Sequence, residues 1–131
     1  MPRVVVPVRY PLSATSRHTL ERALEIAEER DADLTVLHVD LYQEPGSVTR
    51  TQLRKAVVEE FGTIPRARYV VRKGFLVEET ILEEAASEDA DAVVIGERQQ
   101  GRFRRMLKQV FDGPEVDSYL RERLECEIVT V

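Results

Sequence analysis

Residues 90–101 read Ala90-Asp91-Ala92-Val93-Val94-Ile95-Gly96-Glu97-Arg98-Gln99-Gln100-Gly101. Val93, Val94 and Ile95 follow one another with no polar residue between them, so a strand here buries both of its faces. That is the pattern of a central parallel strand covered by helices on both sides. Beyond it, Gly96 and Gly101 bracket a stretch that reads as a loop. A glycine at the carboxyl end of such a strand lets the backbone turn tightly and come close to a ligand. Ligands of open α/β sheets bind at that end, so this loop decides whether the chain holds one.

Upstream, Val77, Ile81, Leu82 and Ala85 mark the inner face of a helix that follows the turn at Lys73-Gly74. Arg66 to Arg72 alternates imperfectly around Tyr69-Val70-Val71, which suits an edge strand. Before it, a helix capped near Ser47 or Thr49 carries Leu53, Ala56, Val57 and Phe61 inward and stops at Gly62. Leu34 to Val39 is a second buried strand, ending in a loop through Asp40 to Gly46. From Arg17 to Arg30, Leu20, Ala23, Leu24 and Ala27 fall at i, i+3, i+4 and i+7, an amphipathic helix capped by Ser13, Thr15 or Ser16 and broken by Asp31-Ala32-Asp33. Val4 to Val8 is the first strand, with Pro7 at its end because proline cannot donate within a central ladder.

Downstream, Phe103, Met106, Leu107, Val110 and Phe111 have helical spacing, which predicts a short amphipathic helix within Arg102 to Asp112. A last helix is expected around Glu115 to Arg123, and Glu127 to Val131 is the closing strand. Strand and helix thus alternate along the whole chain. The expected fold is a three-layer, doubly wound α/β domain over residues 1–131, with a five-stranded parallel sheet. Right-handed crossovers give the strand order 3-2-1-4-5.

Composition bounds the function. A chain of 131 residues with 43% hydrophobic residues is one domain with a real core. Lys+Arg of 19 against Asp+Glu of 24 gives a net charge of -5, a poor match to nucleic acid or anionic membrane. No apolar run approaches the roughly 18 residues of a membrane span, and Met1-Pro2-Arg3-Val4 opens no signal-peptide core. Cys126 is the only cysteine, which excludes an intramolecular disulfide and fits a reducing cytoplasm.

Three segments together resemble the universal stress protein (UspA-like) family. They are Thr19 to Ala27 running into Ala32-Asp33-Leu34-Thr35-Val36-Leu37-His38-Val39, then Ile81-Leu82-Glu83-Glu84-Ala85 followed by Ala90 to Gly96, and a valine-rich C-terminal strand preceded by a cysteine. The pattern covers nearly the whole chain. It implies a Rossmann-like, adenine-nucleotide alpha hydrolase-like fold and a dimer that pairs its C-terminal strands, with contacts at Ile128, Val129 and Val131. The exposed edge of a last strand points the same way.

The family contains members that bind ATP and members that do not. ATP-binding members carry an aspartate just after the first strand and a Gly-x2-Gly-x9-Gly-Ser/Thr pattern after the fourth, where backbone amides and a hydroxyl cradle phosphate. In this chain Arg9 follows Pro7-Val8 at the aspartate position. Gly96 fits the first glycine, but Gln99 takes the second place and Gln109-Val110 the third and its hydroxyl partner. A second alignment uses Gly101 and Gly113, the latter followed by Pro114. Both are degenerate. The resemblance therefore gives Val8, Arg9, Val39, Gly96, Arg98, Gly101, Gln109, Val110 and Gly113 as ligand-site candidates. No cofactor is certain, and ATP is disfavoured; a small anion or another nucleotide is the alternative ligand.

Each candidate also has a plain structural reading. Gly96 and Gly101 shape a turn. Arg9 forms a surface ion pair with Asp40 or Glu97. Arg98, Arg102, Arg104, Arg105 and Lys108 are a solvated basic face, with anion binding as the alternative. His38, between Leu37 and Val39, is structural; Cys126 packs, and His18 is exposed on its helix. A phosphate-receiver reading fails because Arg9-Tyr10 and Arg72-Lys73-Gly74 stand where its aspartates belong. An adenylyl transferase reading has no His-x-Gly-His, and no Walker or nucleophile-elbow motif supports another enzyme. One cysteine and two distant histidines give no zinc set. The function expected is a cytoplasmic, homodimeric binding or regulatory module, with no catalytic residues assigned.

Overall fold

The computed structural model describes residues 2–110 and 126–131. The elements are β1 (Arg3–Pro7), α1 (Ala14–Glu29), β2 (Asp33–Leu41), α2 (Arg50–Phe61), β3 (Ala67–Gly74), α3 (Val77–Ser87), β4 (Ala92–Ile95), α4 (Glu97–Val110) and β5 (Glu127–Thr130). All strand pairs are parallel, and the order is β3-β2-β1-β4-β5. The expected doubly wound sheet is present, with β3 at one edge and β5 at the other. The expected helix at Glu115 to Arg123 lies outside the described residues.

The unbroken valine runs divide between two layers. Val4, Val6, Val36, Ala92 and Val94 pack with Leu20, Ala23, Leu53 and Val57 of α1 and α2. Val5, Leu37, Val93 and Ile95 point the other way, onto Ile81, Leu82 and Ala85 of α3. Side chains alternate across a strand, so a strand covered on both sides must be apolar at every position. Burying a valine, leucine or isoleucine contributes about 1.5–3 kcal/mol, so these central strands carry most of the stability.

Local signals set the helix ends. Ser13 caps α1, its hydroxyl accepting from Ser16 N–H at 3.1 Å, and Asp31 takes a left-handed conformation (φ 52°) after the helix stops. Thr49 and Gln52 form a reciprocal capping box on α2, and Gly62 ends that helix with φ 74°.

Two findings depart from the sequence reading. The Gly96–Gly101 stretch is not a loop: α4 begins at Glu97, and Gln100 N–H donates to Gly96 O at 3.0 Å to close its first turn. The helix expected within Arg102 to Asp112 exists, but it starts five residues earlier, at Glu97 after Gly96 instead of after Gly101, and is followed here to Val110. Glu97 suits a first helical turn, and Arg98, Gln99 and Gln100 are good helix formers, so the flanking glycines misdirected the boundary.

The second departure is polar. Beside Val77, Ile81, Leu82 and Ala85, α3 also buries Glu78, Thr80 and Glu84. The Glu88 carboxylate, with only 2% of its side chain exposed, lies 3.1 Å from Arg68 and 3.6 Å from Arg3, and accepts from Thr35 Oγ1 at 2.5 Å. Glu84 faces Arg72 at 3.6 Å and accepts from Ser87 Oγ. This network fastens α3 to β1, β2 and β3.

Candidate functional site

β1 sits at the point where the chain winds in both directions, with β2 on one side and β4 on the other. Its pairing with β2 runs from Arg3 to Pro7, but its pairing with β4 covers only Val4 and Val5. Val8 N–H donates to Leu37 O at 2.8 Å, so the nitrogen of Pro7 faces β4, where the ladder has already ended. Proline therefore costs no hydrogen bond there, and the diverging strands leave a crevice at their carboxyl ends. A cavity of about 520 Å³ fills it.

Its walls differ in character. Pro7, Val8, Val39, Leu41 and Val77 supply apolar surface, while Ser13, Thr15, Ser16 and Thr19 come from the first turns of α1. Arg9, Arg98, Gln99 and Arg102 form the basic wall, and among the described residues Glu44 is the one carboxylate on the lining. The alternation of ladder bonds along β2, where Leu37 serves β1 and Tyr42 serves β3, turns the N–H and C=O of Val39 toward the crevice.

The hydroxyls of α1 are largely committed. Ser16 Oγ accepts Arg9 N–H at 2.9 Å and Ser13 Oγ–H at 3.1 Å, which ties the end of β1 to the start of α1. Thr19 Oγ1 donates to Thr15 O at 2.9 Å. These bonds fix the backbone of Arg9 while its side chain remains exposed. The expected ion pair from Arg9 to Asp40 or Glu97 does not form among the described residues. Asp40 instead accepts Val48 N–H at 3.1 Å and holds the start of α2.

His38 lines the cavity but is bound to the fold. Its Nδ1 lies 3.1 Å from Val8 O, and its ring meets Tyr10 edge-on at 6.3 Å. A carbonyl only accepts, so Nδ1 carries the hydrogen. Gly96 is buried beside Thr15 and Thr19, where an added Cβ would meet both at 3.7 Å, an ordinary contact; its φ is not left-handed. Neither tight-turn geometry nor close packing therefore demands glycine at Gly96. Gly101, also expected in a turn, lies inside α4 with open space around it.

The remaining candidates separate. Arg98 and Arg102 share the crevice side of α4 with Gln99, while Gln109 and Val110 lie at the far end of that helix. Gly113 is outside the described residues. Cys126 is half-buried against the α3-side core, and burial pushes its thiol pKa up, which leaves little thiolate at neutral pH. No group of three or more His, Cys, Asp or Glu side chains gathers among the described residues. No described helix is long and apolar enough to cross a membrane.

A family profile described as "Universal stress protein family" matches residues 1–131. The chain is a member of the universal stress protein family. Solved members share its fold at low identity. UspA from Lactobacillus plantarum superposes with a TM-score of 0.60 at 17% identity, covering 99% of this chain and 97% of that one. A universal stress protein from Archaeoglobus fulgidus in complex with dAMP gives 0.55 at 19% identity, covering 99% and 96%. A universal stress protein in complex with cAMP gives 0.56 at 17% identity, covering 97% and 95%. No curated protein matches the sequence.

Within this universal stress protein fold, the candidate ligand-site positions separate into two groups. Arg9 and Gly96 meet at the crevice, and Gln99 lies on the first turn of α4. Gln109 and Val110 follow about two to three turns further along the same helix. The basic wall is hidden when the stretch is taken as a loop: Arg98 and Arg102 are spaced i, i+4, which only on a helix gives one face.

Proposed function

We propose that this universal stress protein is a cytoplasmic, homodimeric binding and regulatory module in a stress response, not an enzyme, and that it binds Mg-ATP weakly or not at all. The observation that carries the reading is Arg9 on the crevice wall, in the place of the relatives' aspartate. Arginine presents five donors and no acceptor, so it replaces neither a ribose contact nor a magnesium ligand. The helix α4 stands where relatives place glycine-rich phosphate turns, and Gln99 adds a side chain to its first turn. Each lost hydrogen bond to a charged group costs roughly 1.5–3 kcal/mol. Two such losses move a micromolar site to about millimolar.

Titration calorimetry with Mg-ATP tests this, with an expected dissociation constant well above roughly 10 μM. A value below that limit overturns the reading. Arg9→Asp combined with Gln99→Gly is expected to raise the affinity by returning the acceptor and clearing the first turn. The dimer is supported by the half-buried Ile128, Val129 and Val131 on the edge strand β5. Light scattering at tens of micromolar is expected to return twice the mass of one chain.

A further inference from the structure

The geometry points to a compact tetrahedral dianion, a phosphate group without a nucleoside, as the ligand of the crevice, held by Arg9, Arg98 and Arg102. This rests on the reading that the crevice is the ligand site.

Three guanidinium-bearing residues line one cavity, against the single carboxylate of Glu44 among the described residues. Among the described residues none of the three lies within 4.0 Å of a carboxylate; Arg50, Arg54 and Arg105 are likewise unpaired but do not line the cavity, and Arg3, Arg17, Arg22, Arg30, Arg66, Arg68 and Arg72 are paired. In a chain of net charge -5, unpaired cations gathered at one place are conspicuous. Arg98 and Arg102 stand one helical turn apart, a like-charge pair that weakens the helix. A doubly charged anion between them removes that repulsion. Guanidinium groups suit it because their fork matches phosphate oxygens.

The first turn of α4 adds to the same spot. Gln100 N–H is the first amide of the helix bonded back, to Gly96 O, so the amides before it open toward the cavity end of the helix. The buried Ser16 hydroxyl pins Arg9 from below, which limits the freedom its backbone gives up on binding. The apolar wall of Val39, Leu41 and Val77 leaves room for a small body attached to the phosphate.

The test uses the full chain and thermal denaturation followed by calorimetry. Sodium phosphate, phenyl phosphate and sodium chloride are compared at equal ionic strength. Phosphate is expected to raise the melting temperature above chloride and to bind once per chain. Phenyl phosphate binding at least threefold tighter assigns the phosphate to a small carrier; equal binding assigns it to free phosphate. Arg98→Gln with Arg102→Gln is expected to lower phosphate affinity at least tenfold, and Arg54→Gln, an exposed residue of α2 off the cavity lining, to leave it unchanged. Circular dichroism confirms that the variants fold, and Arg98→Lys with Arg102→Lys recovers part of the binding. Equal melting temperatures in phosphate and chloride, or phosphate binding untouched by the double Gln variant, overturn the assignment. Failure here leaves weak Mg-ATP binding intact as a reading, whereas Mg-ATP bound at micromolar strength without competition from phosphate overturns both.

Discussion

Glu84 is the residue whose protonation reports on the fold. Burial pushes its pKa up, the neighbouring Glu88 carboxylate raises it further, and Arg72 and Ser87 oppose the shift. Glu88 lies between Arg68 and Arg3, and its Oε2 is buried without a partner. A proton on Glu84 gives that oxygen the donor it lacks. The folded state therefore holds a proton that the unfolded chain releases near its ordinary value of 4.5. The stability this group contributes is then full below that value and is lost as pH rises toward the raised folded pKa, by at most about 1.4 kcal/mol per pH unit. Glu84→Gln keeps the shape without the charge, so urea denaturation of the variant is expected to show a higher midpoint at pH 7 and a flatter profile above pH 4.5. An unchanged slope in the variant would place the pH dependence elsewhere.

Two glycines test the elements. Gly101 lies in the interior of α4 with nothing within 4 Å of an added Cβ. Glycine in a helix costs about 0.5–1 kcal/mol relative to alanine. Gly101→Ala is thus expected to stabilise the protein by that amount in chemical denaturation; in a loop the substitution would gain little. Gly74 is the opposite case. It ends β3 against Thr80, whose hydroxyl donates to Leu76 O at 2.7 Å in the first turn of α3, and an added Cβ would collide with that hydroxyl. Gly74→Ala is expected to cost roughly 1–3 kcal/mol, as overpacking does. Lys73-Gly74 reads as a turn in the chain; the close approach of helix to strand is a tertiary fact.

At the scale of the molecule, the proposed dimer rests on the difference between the two edges of the sheet. β3 is a charged edge, with Arg68, Arg72 and Lys73 along it, which discourages pairing with another chain. β5 offers Ile128, Val129 and Val131 with no further strand beside it among the described residues. Val129→Arg is expected to shift the light-scattering mass from dimer to monomer, while Lys73→Glu on the opposite edge leaves it unchanged.

The strands and their order were legible in the chain because hydrophobic runs and alternation are local and the handedness of crossovers is general. Val4 to Val6 and Val93 to Ile95 could only be central, and Arg66 to Arg72 only an edge. The place of Arg9 after Pro7-Val8, at the end of the first strand, was readable from the chain alone. The tertiary structure decided the rest. It turned Gly96–Gly101 from loop into helix, and so put Arg98 and Arg102 on one wall with Arg9. It buried Glu84 and Glu88, which on a helix reading look like solvent-facing charges, because Arg3, Arg68 and Arg72 arrive from strands far away in sequence. Periodicity shows which residues avoid water; which charges meet one another depends on contacts between distant parts of the chain, and only folding makes those.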